Sequence, residues 1–300
     1  MCHQEKIKPF HIKNIFIFDT VTQNLNNKTS MKKITTFLSI LLVGAFYSCK
    51  NGEEANSLSV PSEVRSQLIS LGFDVVNHVP IEFNDGYLVE GDIYLTSSDL
   101  ASMQPKTRIP VAEQYSTNQL VTGLPRSVTV YIPTSSFSAT YVAALDEAIL
   151  RYNNQNLQIH FTRVTTSSAN MVFKRLTKSQ ERQGILGSSG FPTAAGAPFG
   201  TIQMSGILES TYQLTVNGIA TIMAHEMGHC IGFRHTDYYN RAVSCGGATS
   251  NEGASTVGAN LIPGTPSTAT LSAKSWMLAC TDGGDRPFNT DDRTALNFLY

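Results

Sequence analysis

The stretch His225-Glu226-Met227-Gly228-His229-Cys230-Ile231-Gly232-Phe233-Arg234-His235 constrains this chain more than any other part of its sequence. His225 and His229 stand four residues apart, on a helix expected to start near Asn217. Both imidazoles therefore leave one face, a turn apart, and can share one ion. Gly232 falls where that helix must stop. Lacking a Cβ, it takes the left-handed conformation and lets the chain turn back to deliver His235. Three neutral imidazoles suit Zn2+ and leave one coordination position for water, whose pKa falls to about 7 on the metal. Glu226, beside the first ligand, is the candidate to take that proton. Cys230 points about 100° away around the helix and is a poor fourth ligand. Structural zinc sites are normally closed by a fourth protein ligand, so the pattern points to an open, reactive centre.

The remaining sequence can house such a centre. Its 300 residues are 41% apolar and 15% charged, which allows a sizeable core and excludes disorder. A formal net charge of -1 with no Lys/Arg run argues against any nucleic acid partner. There is no internal repeat, heptad or collagen-like register, so solenoids, coiled coils and fibres are excluded. A monomer is expected.

The amino terminus carries an address. Met31-Lys32-Lys33 followed by the uncharged run Ile34 to Tyr47 has the charged head and short apolar middle of a bacterial secretory signal peptide. The run is too short to span a bilayer, which needs about 20 apolar residues. Ser48-Cys49 at its end resembles a lipobox, which predicts acylation of Cys49 and an exported lipoprotein. The bulky Phe46 and Tyr47 depart from the usual pattern. Residues 1–30 read as an upstream, mis-called start, 31–48 as the signal, 49–125 as a tether and prosegment, and 126–300 as the catalytic domain. The expected location is the outer membrane, on its periplasmic or cell-surface face, or secretion. A membrane contact is expected only through the lipid.

Within the exported part, Val64 to Leu71 reads as a short helix and Gly86 to Leu95 as an alternating strand, without a strong core signal. Ser97 to Gly123 is rich in Ser, Gln, Pro and Thr and reads as an exposed linker open to proteolysis. Strands are expected at Ser127 to Ile132, Gln158 to Thr162, Met171 to Phe173 and Gly200 to Ser205. Tyr141, Leu145, Ile149 and Tyr152 mark one face of a helix, and a Gly-rich loop runs from Gly184 to Gly196. Thr290 is a candidate cap for a last helix, with Leu296, Phe298, Leu299 and Tyr300 available to the core. The fold class is α+β, with a twisted mixed or mostly antiparallel sheet and two long helices. His78 and His160 lie outside any ligand spacing and read as structural.

The long histidine motif resembles the zinc signature of metzincin metallopeptidases, and its flavour from His225 to Asp237 is most similar to the bacterial dual-action HEIGH metallopeptidases. The resemblance covers roughly Arg126 to Tyr300. It implies a metzincin-like domain with an active-site helix, a Met-turn and a C-terminal helix. It also implies that His225, His229 and His235 hold one catalytic zinc, that Glu226 is the general base, and that peptide bonds are hydrolysed by zinc-bound water. Ser275-Trp276-Met277 resembles the Met-turn, with Met277 as a nonligating floor beneath the metal. The Tyr that astacins and serralysins place two residues beyond the Met is absent, the position being Ala279, and Thr236 matches none of the best-known subfamilies.

Upstream, Leu88-Val89-Glu90-Gly91-Asp92-Ile93 is similar to the astacin propeptide motif, with Val89 in place of its Phe. That likeness implies that Asp92 occupies the water position and keeps the enzyme latent until the chain is cut near Thr107 to Arg126. Of the remaining cysteines, Cys245 and Cys280 are the expected disulfide, while pairing of Cys230 with either stays open. Asp282-Gly283-Gly284-Asp285 is a weak calcium candidate, an ordinary solvated turn being the favoured reading. Substrate peptide is expected to lie extended along Gly200 to Ser205, with packing the favoured role for Tyr238 and Tyr239. The rival reading is a zinc-holding cell-surface binding lipoprotein with little turnover. A weaker one is a small-molecule amidase.

Overall fold

The computed structural model describes residues 60–103, 114–253, 257–266 and 268–300. The signal segment, Cys49, the tether up to residue 59 and residues 104–113 lie outside the described residues.

The fold is α+β with a mixed sheet. Five strands lie in the order β6-β5-β7-β9-β8, where β5 is Arg126–Tyr131, β6 Ile159–Val164, β7 Met171–Arg175, β8 Gly187–Ser188 and β9 Thr201–Met204. β5 runs parallel to β6 and β7, and β7 parallel to β9; only β8 is antiparallel. Alternation sends Val128, Val130, Ile159, Phe161, Met171, Phe173, Ile202 and Met204 to one buried face. Two fifteen-residue helices, α3 (Ala139–Asn153) and α5 (Val216–Cys230), share that core. The face of Tyr141, Leu145, Ile149 and Tyr152 is buried there, and the Tyr152 hydroxyl donates to the Ala224 carbonyl of α5 at 2.7 Å.

The upstream segment has a small core of its own. Helix α1 (Ser62–Leu71) buries Leu68 and Leu71 against Phe73, Val75, Val89, Ile93, Leu95 and Leu100. Its strands β1 (Ile81–Phe83), β2 (Gly86–Val89) and β3 (Ile93–Thr96) form an antiparallel meander. The single strand expected over 86–95 is thus a hairpin. Val89 faces Ile93, and Glu90-Gly91-Asp92 makes the turn, with Glu90 at φ 55° and Gly91 at φ 96°.

The expected linker over 97–123 is corrected on both sides of 104–113. Ser97–Ser102 is a helix, α2, closed by a capping box between Thr96 and Asp99. Gln114 to Thr117 is buried, and β4 (Tyr115–Ser116) pairs with β10 (Asn260–Leu261). Polar composition misled here because these side chains are satisfied inside: the Gln114 amide donates to Ser275 Oγ and to Asp292 Oδ1 at 3.2 and 2.6 Å. The short helices α4 (Lys178–Arg182) and α6 (Ala242–Cys245) are connectors.

The last helix, α7 (Thr290–Leu299), is capped by Asn289 rather than Thr290: Asn289 and Asp292 form the capping box. Leu296, Leu299 and Tyr300, at i, i+3 and i+4, reach the core on one face, whereas Phe298 points to the opposite side and is exposed. Asp292 also accepts the Ser275 hydroxyl at 2.7 Å, and so ties α7 to the segment under the site. Burial pushes its carboxyl up to about 7, against four donors that favour the charge. The native state therefore binds more protons than the unfolded chain between about pH 4 and 7. This contribution to stability is full below about pH 4 and lost as pH rises through 7. Relative to Asp292→Asn, wild type should lose roughly 2–4 kcal/mol between pH 4 and pH 8 in urea unfolding. Parallel pH profiles for the two proteins would remove Asp292 from this role.

Candidate metal centre and active site

Helix α5 begins where Thr215 caps it, its hydroxyl accepting the Gly218 N–H at 3.2 Å. It ends at Gly232, with φ 104° and a Phe233 N–H bond back to the Gly228 carbonyl at 2.9 Å. A side chain at Gly232 would also collide with Leu120 and the Gln119 carbonyl. Strand β4 holds the turn that follows: Thr117 N–H bonds Gly232 O at 2.7 Å, and Arg234 N–H bonds Tyr115 O at 2.9 Å. The supposed linker is therefore what braces the chain between the second and third histidines.

The three histidines converge. His229 Nε2 lies 3.1 Å from His225 Nε2 and 3.2 Å from His235 Nε2. Asp92 Oδ2, from the hairpin tip, lies 2.9 Å from His235 Nε2 and 3.6 Å from His225 Nε2. A tetrahedral zinc with bonds of 2.0–2.1 Å separates its ligand atoms by about 3.3 Å. Partners behind the rings agree with a metal in front. His225 Nδ1 meets the Trp276 carbonyl and His229 Nδ1 the Phe233 carbonyl, both at 2.8 Å, while His235 Nδ1 meets Glu252 Oε1 at 2.6 Å. A carbonyl only accepts, so the Nδ1 atoms of His225 and His229 carry the protons and their Nε2 lone pairs face one another. Three such nitrogens and a carboxylate in a buried pocket call for a cation. Although burial opposes it, the Asp92 and Glu252 carboxylates push the His235 imidazole up to about 10. Burial likewise opposes ionisation of Asp92, but the His235 charge and the imidazole hydrogen bonds hold it well below the usual range.

Met277 is buried against α5, and a Cβ on Gly228 would lie 2.6 Å from its sulfur. Gly228 is thus what lets the Ser275-Trp276-Met277 segment approach the helix between His225 and His229. Thr236, one past the third His, bonds this floor through its N–H to Met277 O at 2.7 Å and its hydroxyl to Ser275 Oγ at 2.8 Å. Asp237 then accepts the Ala279 N–H at 2.9 Å.

Glu226 is buried on the cleft side. Its Oε2 accepts the Ser189 hydroxyl at 2.7 Å, and burial together with the Asp92 charge pushes its carboxyl well up. A Cβ on Gly187 would sit 2.4 Å from Glu226 Oε1, so any larger residue there must push the carboxylate aside.

The family profile described as dual-action HEIGH metallo-peptidase matches residues 87–300. The chain belongs to that family. Zinc metallopeptidase chemistry on a metzincin-like α+β fold follows from that membership. The solved structure "Structure of Myroilysin" is similar over 60% of this chain and 82% of its own, at 13% identity and TM-score 0.37. A second, "Crystal structure of myroilysin", aligns over 61% and 86%, at 12% and 0.36. No curated protein matches the chain in sequence.

The other positions singled out in the sequence are placed as follows. The edge strands of the sheet are β6 and β8, with β9 enclosed between β7 and β8, so Gly200 to Ser205 is not available for an extended peptide. Asp282 and Asp285 are engaged by Arg286 at 3.2 Å and Arg151 at 2.9 Å, an arrangement that leaves no calcium cage. Tyr238 is buried edge-on against Tyr115, and the Tyr239 hydroxyl accepts the Ala269 N–H at 2.8 Å. Cys245 and Cys280 form a disulfide, and Cys230 is buried and free. His160 is exposed and His78 partly buried, neither reaching the histidine cluster.

Sequence reading missed Ser189, Glu90, Arg241 and Glu252. Arg241 donates to Glu252 Oε1, and Arg234 Nη2 lies 3.5 Å from Glu252 and 3.6 Å from Glu90. These buried charges surround the third histidine. Glu252 lies 17 residues beyond His235 and meets it only through the fold.

Proposed function

We propose that the chain is an exported, lipid-anchored zinc endopeptidase made in a latent form, with His225, His229 and His235 as zinc ligands and Glu226 as general base. The observation that carries this reading is the convergence of three Nε2 atoms on one point, with the Glu226 carboxylate on the cleft side. Zinc, when bound, supplies the Lewis acidity that polarises a peptide carbonyl and acidifies water. Trp276 and Phe233 carbonyls hold two of the imidazoles in the ligating tautomer, and Glu252 orients the third. Glu226 takes a proton from the attacking water and returns it to the leaving nitrogen. Ser189 fixes one of its oxygens, and Gly187 leaves room for the other. Gly187→Ala should therefore displace the carboxylate and cost about 100-fold in kcat/KM at unchanged zinc content. Wild-type activity in that variant would remove the steric argument.

Latency rests on the hairpin. Ser189 N–H bonds Asp92 O at 3.1 Å and Tyr94 N–H bonds Ser189 O at 2.8 Å, so β3 extends the sheet beside β8 where an extended substrate would pair. Asp92 takes a ligand position, and Glu90 anchors the turn beside Arg234. Activation then requires a cut that frees this segment. Export and acylation at Cys49 are supported by the segment from Met31 to Cys49, and the Cys245–Cys280 disulfide suits an oxidising compartment.

The test is mass spectrometry of an unfolded protein incubated with the zinc-loaded chain before and after limited proteolysis. Internal peptide bonds should be cut, more after proteolysis, and not at all with a chelator. Bound zinc without any cleavage would bring the binding-lipoprotein reading forward, and hydrolysis confined to small amides the amidase.

A further inference from the structure

Beside His225 and Glu226 lies a cavity of about 260 Å3 that the hairpin does not fill. Gly91 stands among its lining residues and offers no side chain to it. Ile222 and Leu278 give it apolar walls, but two guanidinium groups, Arg241 and Arg286, also line it. Both arginines are buried, and neither Nε–H meets an acceptor among the described residues.

Arg286 is held near the reacting centre by α5 itself. Its backbone N–H donates to Thr221 Oγ1 at 2.9 Å, and Thr221 precedes His225 by four residues, one helical turn of about 5–6 Å. Its Nη1 donates to the Cys280 carbonyl at 3.0 Å, and its only carboxylate partner among the described residues is Asp282 at 3.2 Å, whose side chain is 56% exposed. The acids lining the cavity are Asp92 and Glu226. Once the hairpin leaves, Asp92 goes with it; Arg241 stays paired with the buried Glu252, so Arg286, whose partner Asp282 is exposed, is the cation open to a guest. A buried guanidinium with a spare donor favours a carboxylate guest over an ammonium.

We infer that this cavity is a subsite for an acidic side chain, Asp or Glu, at a residue flanking the scissile bond, and that Arg286 is its specificity-determining residue. The inference rests on the peptidase reading for its position in the reaction, but not for the binding preference.

The test uses the zinc-loaded chain after limited proteolysis and peptides that differ only in carrying Asp, Glu, Leu or Lys on one side or the other of the scissile bond. An acidic residue should raise kcat/KM about 10-fold or more over Lys. Arg286→Gln should abolish the difference through KM, and Arg286→Lys should restore most of it. A second readout needs no turnover. Fluorescence anisotropy with the Glu226→Gln chain should show tighter binding of the acidic peptide than of its Lys counterpart. Equal binding and cleavage of all four, a preference for Leu or Lys, or an acidic preference that survives in folded Arg286→Gln would overturn the inference. Should Arg286→Gln fail to fold, the wild-type preference and the binding measurement decide it. Preferential binding of the acidic peptide with no cleavage of any would sink the peptidase reading and leave the subsite standing.

Discussion

Replacing Glu226 with Gln should lower kcat/KM by about 10²–10⁴-fold, the range for loss of a positioned acid–base group. That is roughly 3–5 kcal/mol of transition-state stabilisation. Zinc content should not change, because Glu226 is not among the four groups whose donor atoms converge. The amide is nearly isosteric, and its oxygen can still accept the Ser189 hydroxyl that now bonds Oε2 at 2.7 Å. What it loses is the ability to receive a proton from water and return it. Full activity in Glu226→Gln at matched zinc would rule out the assigned proton transfer.

The second large effect concerns latency. Before any proteolysis, Asp92→Ala should raise peptide hydrolysis by roughly 10–100-fold, since it removes a carboxylate 2.9 Å from His235 Nε2 and opens a coordination position. Activation should stay incomplete. The hairpin is still held through Ser189, through Glu90 beside Arg234, and through the Asp74 carboxylate on the Ser250 hydroxyl. Adding Glu90→Ala should raise activity further, while the three proteins should converge once the segment has been cut away. Unchanged activity in unprocessed Asp92→Ala would take Asp92 out of the account.

The parts of the site visible in the sequence are those encoded by local spacing. His225 and His229 share a helical face by their separation alone, and Gly232 marks the turn that brings in His235. The hydrophobic face of α3 was legible for the same reason. Less visible were features that depend on which segments meet in space. The apolar runs Tyr87 to Val89 and Ile93 to Leu95 are separated by only three residues, Glu90-Gly91-Asp92, so a hairpin tip with two positive φ values reads as the middle of one strand. Strand β8 has two residues, too few to show alternation, so the edge was assigned to its better-patterned neighbour β9. Gln114 to Thr117 looks like a linker because its polar groups find partners only in the tertiary structure. The same holds for Glu252, Arg241 and Ser189, which reach the histidines and Glu226 from distant loops.

The most direct test is a zinc titration into the metal-free, proteolytically processed chain, with bound metal and peptide hydrolysis followed together. Activity should be absent at the start, rise in proportion to bound zinc and level off at one ion per chain. Hydrolysis by the metal-free protein, or one zinc bound per chain with no hydrolysis, would contradict the account.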